Sequence, residues 1–197
     1  EFNTRNNQAS VFVEVVEGKK KILMVAGSPH PDIKALREVV SKNPNYEFLL
    51  HIPGMEEQSS DAINPEKIDL VIFHQGPDVR GKTRIIFEQF LRSKTSIFLI
   101  VGSQTDLAFL SKQNVPVAFE SIPREYDEVL AATNPAFSQF SLTAETNEII
   151  QDYPPVSVPF GKMKLPGNVM PILYQRIGSL TTQIPLLYLN IHDDRKT

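Results

Sequence analysis

The 197-residue sequence contains no cysteine. It can therefore form neither disulfides nor thiolate metal sites, and it holds no cysteine nucleophile; a reducing or an oxidising compartment is equally compatible with that absence. A charge excess is also lacking. The formal net charge of -3 supplies no field that would gather nucleic acid or anionic lipid, so neither is expected as a partner. No apolar run approaches the ~18 to 20 residues needed to span a bilayer, and Glu1–Ser10 is polar rather than a signal-peptide core. What is present, 41% hydrophobic residues against 22% charged, is the composition of an ordinary globular domain, long enough to bury a sizeable core.

Residues 1–10 have no periodicity. Val11–Val16 is a β-branched run closed by Glu17-Gly18, a strand-and-turn signal, and residues 1–18 are accordingly set apart as a lead-in and strand before a single domain at 19–197. The first core strand is Ile22–Ala26. Its near-continuous apolarity suits a strand covered on both faces, as in a parallel sheet. Asp32–Lys42 places Ile33, Leu36, Val39 and Val40 on one helical stripe; Tyr46–Ile52 and Asp69–His74 read as strands, Thr83–Arg92 as a helix and Ser96–Val101 as a strand. The order β-α-β-β-α-β is that of an open, doubly wound, three-layer α/β sheet of flavodoxin-like type.

Beyond Gly102 the pattern weakens. A short helix is expected at Asp106–Lys112 and a strand at Val115–Phe119; prolines 135, 154, 155, 159, 166 and 171 predict loops and short pieces over 134–171. Val169–Arg176 and Ile184–His192 are expected to pair antiparallel at an edge of the sheet. Phe137, Phe140, Tyr153 and Phe160 in the proline-rich stretch are expected to cover a core edge rather than form a binding face. There is no internal repeat or low-complexity segment.

In an open α/β sheet, ligands sit at the carboxyl ends of the strands, near the reversal of strand order. Three loops occupy that position: Gly27–Asp32, His74–Asp78 and Gly102–Asp106. In the first, glycine turns the chain, prolines stiffen it and Asp32 is expected to cap the following helix; His30 is a candidate proton carrier or hydrogen-bond donor. The second runs into Gly76-Pro77-Asp78-Val79-Arg80-Gly81-Lys82-Thr83, which fits a phosphate-binding loop between a strand and a helix. On that alternative Gly76 and Gly81 expose backbone N–H groups, Lys82 reaches the terminal phosphates and Thr83 ligates magnesium. Bulky Val79 and Arg80, and the want of a prompt strand ending in aspartate, favour an ordinary turn. Ser103 offers a second enzymatic alternative, as a hydrolase nucleophile, but no His-x-Glu-like pair follows it; His192 is followed by Asp193-Asp194. His51 and His74 lack carboxylate company in sequence, so no metal site and no cofactor is expected.

At the two later loops the chain resembles the class I glutamine amidotransferase-like superfamily. There, one strand ends in a Gly-Gly-Pro-type oxyanion loop, which His74-Gln75-Gly76-Pro77 resembles, and the next ends in a Gly-x-Cys-x-Gly elbow, where Gly102-Ser103-Gln104-Thr105-Asp106 stands. Gln104 occupies the cysteine position and Asp106 that of the second glycine, so the resemblance implies the fold without the chemistry. More narrowly, Lys21–Ala26 with His30–Ile33, Asp69–Gln75, Asn134–Phe137, Asp152–Pro155 and Gln175 with Pro185–Leu187 resemble the amidotransferase-like region of large membrane-anchored Bacteroidetes-type proteins. That resemblance implies a parent protein anchored in a bacterial membrane, with this domain on the extracytoplasmic face and no membrane contact of its own. The expected function is non-catalytic: binding of a small ligand or a partner's loop in a strand-end cleft lined by His30, Asp32, His74, Gln75, Gly76, Ser103, Gln104, Thr105 and Asp106.

Overall fold

The computed structural model describes residues 18–55, 63–192 and 195–196. The expected strand at 11–16 and the Asp193-Asp194 pair lie outside them. Four strands, β1 (Lys20–Ala26), β2 (Tyr46–His51), β3 (Leu70–His74) and β4 (Ser96–Ile100), form an all-parallel sheet in the order β2-β1-β3-β4. Helix α1 (Pro31–Ser41) follows β1, a 3-10 turn at Pro65–Lys67 precedes β3, and α2 (Arg84–Leu91) links β3 to β4.

The period-2 geometry of the strands sorts their side chains onto two faces. Ile22, Met24, Ala26 and Ile72 pack with Ile33, Leu36 and Val40 of α1. Leu23, Val25, Val71, Phe73 and Ile97 pack on the other face with Ile86, Phe87 and Phe90 of α2. Because both faces are covered, these strands carry apolar residues at successive positions, which is why they were visible as continuous runs. Phe73 meets Phe87 and Phe90 edge-on at 5.0 and 6.0 Å between ring centroids. Each of these fully buried rings contributes about 2–3 kcal/mol of apolar burial.

The second half differs from the sequence reading. After the short α3 (Leu107–Leu110) come β5 (Ala118–Phe119), β6 (Tyr126–Thr133), α4 (Ala144–Gln151), β7 (Val156–Pro159), β8 (Met163–Lys164), β9 (Val169–Ile177), β10 (Leu180–His192) and β11 (Arg195–Lys196). The β9–β10 hairpin is antiparallel, as expected, but it is no edge of the parallel sheet. It forms the middle of a separate five-stranded sheet, β11-β10-β9-β6-β7, beside a two-stranded β5-β8 ladder. The fold is thus mixed α/β, a four-stranded parallel sheet with antiparallel sheets, rather than mainly parallel.

Two features hid this half. The region 134–171, expected as loops and short pieces, holds the two-turn helix α4, capped by the Thr143 hydroxyl on the Thr146 N–H, and the short strands β7 and β8. Pro171 lies inside β9 opposite Tyr188 of β10, beside a register shift between Leu187 and Tyr188, the irregular position at which a strand tolerates a missing N–H. Phe140, Tyr153 and Phe160 are more than half exposed, so they do not cover a core edge as expected; Phe137 packs on Phe140 at 4.8 Å. Where the two halves meet, Phe98, Val101, Pro116, Val158, Leu187 and Tyr188 line an apolar cavity of about 280 Å³. Burial in this region raises the Tyr188 phenol well above its usual pKa, and its hydroxyl donates to the Pro116 carbonyl at 2.8 Å.

Candidate functional site

In the order β2-β1-β3-β4 the chain leaves β1 toward β2 on one side and later enters β3 on the other, so the reversal lies between β1 and β3. Ala26 and His74 are register partners at the carboxyl ends of those two strands. The site expected at this reversal is therefore built from the loop after β1 and the last residue of β3.

Local geometry at the start of α1 corrects one expectation. The helix begins at Pro31, whose fixed φ and missing N–H suit the first helical position, and the capping residue is His30, not Asp32. The His30 ring nitrogen Nδ1 accepts from the Asp32 N–H at 3.3 Å. Relieved of the cap, the Asp32 carboxylate in the first helical turn reaches across to His74, with Oδ2 2.9 Å from Nε2. The same oxygen lies 3.3 Å from His30 Nδ1. The two imidazole rings stand 4.6 Å apart at an interplanar angle of 44°. His74 is buried, with a side chain only 3% exposed, whereas Asp32 and His30 are 54% and 34% exposed at the side chain. One ring nitrogen of each histidine and a carboxylate oxygen of Asp32 all fall within 4.8 Å of one another.

The rim is polar. Gln75 has a left-handed backbone, φ 51°, a conformation that costs a non-glycine residue free energy. It aims the side-chain carbonyl of Gln75 at the Gln104 N–H, 3.1 Å away. The Gln104 side chain in turn accepts from the Ser28 hydroxyl at 3.2 Å, tying the loop after β4 to the loop after β1 over the end of β3. Gly27, Ser28, His30, His74, Gln75 and Gln104 surround a depression with no room inside for a water-sized molecule. The expected cleft is a shallow seat. A ligand must rest on its outer side, where His30 and Asp32 are exposed, or move Gln104.

The remaining predicted residues serve the structure. Gly76 is buried, follows Gln75 and precedes Pro77 through a cis peptide bond. Thr105 is buried, and its hydroxyl accepts from the Gly102 N–H at 3.0 Å. Asp106 caps α3 through the Phe109 N–H at 2.9 Å and pairs with Arg84 at 2.9 Å. Arg84 also lies over the Phe109 ring, 4.4 Å from its centroid. Ser103 is exposed and, among the described residues, hydrogen-bonds to no histidine, so the hydrolase alternative lacks its base. Tyr126, which sequence reasoning missed, donates its hydroxyl to the Gly102 carbonyl at 2.9 Å and so reaches the elbow from the antiparallel sheet. Nothing in the local sequence of β6 marks it.

The phosphate-loop alternative fails on a specific arrangement. Gly81 has a positive φ of 72°, but the N–H groups it helps present are already taken. The buried Asp78 carboxylate accepts from the Thr83 N–H at 2.9 Å, the Thr83 hydroxyl at 2.8 Å and the Arg80 N–H at 3.2 Å. Thr83 is fully buried, and its hydroxyl also accepts from the Asp78 N–H at 3.1 Å. Burial pushes the Asp78 carboxyl pKa up, yet the hydrogen bonds from Thr83, Lys82 and its own N–H outweigh burial and hold it below the usual carboxylate value. The loop carries its own anion where a phosphate would have to sit, Thr83 is closed to magnesium, and Lys82 is exposed. His51 ends β2 and is not part of that cluster; burial lowers its pKa, and among the described residues its Nδ1 has no hydrogen-bond partner.

No family model matches the chain, and no curated protein matches it. One solved structure, described as a "Putative thua-like protein" from Bacteroides uniformis, is similar in part: 12% identity, TM-score 0.43, over 91% of this chain and 81% of that one.

Proposed function

We propose that this is a non-catalytic binding domain of amidotransferase-like fold, whose recognition seat is His30, Asp32 and His74 with Ser28, Gln75 and Gln104 at its rim. The observation that carries the reading is the placement of a half-exposed histidine and carboxylate, locked on a buried histidine, at the reversal point between β1 and β3. The elbow position supports the non-catalytic half of the reading. Gln104 has no nucleophilic atom, its N–H is spent on Gln75, and Ser28 donates to Gln104 rather than to a histidine. The parent protein, on this reading, is a membrane-anchored bacterial protein. No helix among the described residues is long and apolar enough to cross a membrane.

A thermal-shift screen of the whole chain against millimolar amino acids, dicarboxylates, sugars and nucleosides tests the reading. At least one class is expected to raise Tm by about 2 °C or more, as mass action requires of a ligand well above its Kd. The shift should vanish in Gln104→Ala and His30→Ala. Absence of any shift, or ammonia release from glutamine that depends on Ser103, overturns it.

A further inference from the structure

We infer that His30, Asp32 and His74 form a binding site for one divalent transition-metal ion of the zinc class; this deepens the proposed binding role and rests on that reading. The donor set is two imidazoles and one carboxylate, the chemistry that zinc and its first-row neighbours take in sites with exchangeable positions. The geometry is close to what such an ion needs. Ligand bonds of about 2.0–2.1 Å place neighbouring donor atoms roughly 3.3 Å apart in a tetrahedral site. Here the Asp32 oxygen lies 2.9 Å from His74 Nε2 and 3.3 Å from His30 Nδ1, with all three donors inside 4.8 Å.

The three donors come from the loop after β1, the first turn of α1 and the end of β3. His74 is fixed by burial in the strand, and α1 holds Asp32 against it. A metal here would replace the long His30 contact to the Asp32 N–H, 3.3 Å, and would stand in for the shared proton of the 2.9 Å His74–Asp32 bond, which is released on binding. Shallowness supports the inference. The depression has no interior space for a molecule, but a single ion held between the three donor atoms needs none, and its remaining positions would face solvent on the side where Asp32 and His30 are partly exposed. The local charge is that of one carboxylate, so a bound divalent ion leaves the seat positive and favours an anionic or lone-pair-bearing ligand on the open positions. The alternative use of the same residues is a hydrogen-bonded helix cap with no ion, and the two differ in a direct measurement.

The test is equilibrium dialysis of the tag-free whole chain against Zn²⁺, with Co²⁺ absorption as a second readout. The expected result is one zinc per chain with a Kd of about 10 μM or tighter. The affinity should fall at least tenfold in His30→Ala and in Asp32→Ala, and be unchanged in His51→Ala. Bound Co²⁺ should show visible ligand-field bands that zinc displaces. His30 and Asp32 are exposed enough for their variants to fold, and a circular-dichroism melt of each variant verifies it. No stoichiometric binding at about 100 μM free zinc, or binding indifferent to both substitutions, overturns the inference. A small-molecule thermal shift that persists in chelator while zinc fails to bind removes the metal and keeps the binding role. Zinc bound through these three residues, with no small molecule shifting Tm in its presence, upholds the metal and removes that role.

Discussion

Asp32, in the first turn of α1, and Asp78, in the loop before α2, both stand just beyond the carboxyl ends of neighbouring parallel strands. Asp78 is 3% exposed, and its carboxylate accepts from three groups of its own loop. Asp32 is 54% exposed at the side chain and bonds outward, to a histidine on another strand. In sequence, the Asp78 loop matched a phosphate-binding loop although an ordinary turn was favoured, and Asp32 was expected both to cap α1 and to line the cleft. The difference in the structure is one of availability: binding needs polar groups left open to a partner, and a loop that satisfies its own groups has none to offer.

The contrast is broken most severely at Asp78. Asp78→Ala leaves the two buried Thr83 donors with no acceptor and frees the Arg80 N–H, and should cost about 2–4 kcal/mol in denaturant unfolding. If the loss is below about 0.5 kcal/mol, the carboxylate does not organise the loop. Gly27→Ala attacks the same unit from β1. A Cβ there would stand 3.0 Å from the Asp78 Cγ and 3.1 Å from its Cβ, and that side chain cannot yield without losing its bonds. The expected cost is about 1–3 kcal/mol. Because both changes act on one carboxylate, the double variant should cost less than the sum, which a double-mutant cycle measures.

The pH dependence sharpens the same point. With the folded Asp78 pKa held below the unfolded value of about 3.9, its contribution is fully present above that value and lost as pH falls through the lower folded pKa. The stability gap between wild type and Asp78→Asn should therefore stay constant from about pH 5 to 7 and narrow below about pH 4. A gap that widens in acid would reverse the assignment.

Much of the first half was legible because covered parallel strands write themselves as apolar runs, and Ile22–Ala26, Leu70–His74 and Ser96–Ile100 are such runs. The second half was not. In Tyr126–Thr133 only Val129 and Ala131 are buried, so β6 has too weak an alternation to announce itself. At the site, position at the strand ends was readable, and of the nine residues named on that ground the structure brings His30, Asp32, His74, Gln75 and Gln104 together. Their pairing was not, because the contact between Asp32 and His74 spans 42 positions and depends on which residue caps α1. A Pro at 31 was the available signal that the cap lies two residues earlier than assumed, at His30.

Gly102→Ala probes the rim with a smaller effect. The new Cβ would lie 2.7 Å from Cδ and Oε1 of Gln75, the mobile end of a flexible side chain, which can swing aside. The cost is the Gln75–Gln104 hydrogen bond, about 1 kcal/mol, while any ligand shift that depends on Gln104 should fall several-fold more than stability does. Equal losses would mean that the rim only holds the fold.

The smallest effect on stability is expected at Asp32. Removing its carboxylate with Asp32→Ala deprives His74 Nε2 of its partner, but the vacated position is open to solvent, so water can take over the bond. A favourable charge in the first turn of α1 is also lost, worth about 0.3–1 kcal/mol at an exposed position. The total should stay within about 1 kcal/mol, well below the loss at Asp78, although Asp32 joins two elements and Asp78 only one loop. Urea unfolding of the two alanine variants side by side decides it. A cost at Asp32 equal to that at Asp78 would make the His30–Asp32–His74 group a structural clasp, and the exposed carboxylate would cease to be an argument for binding.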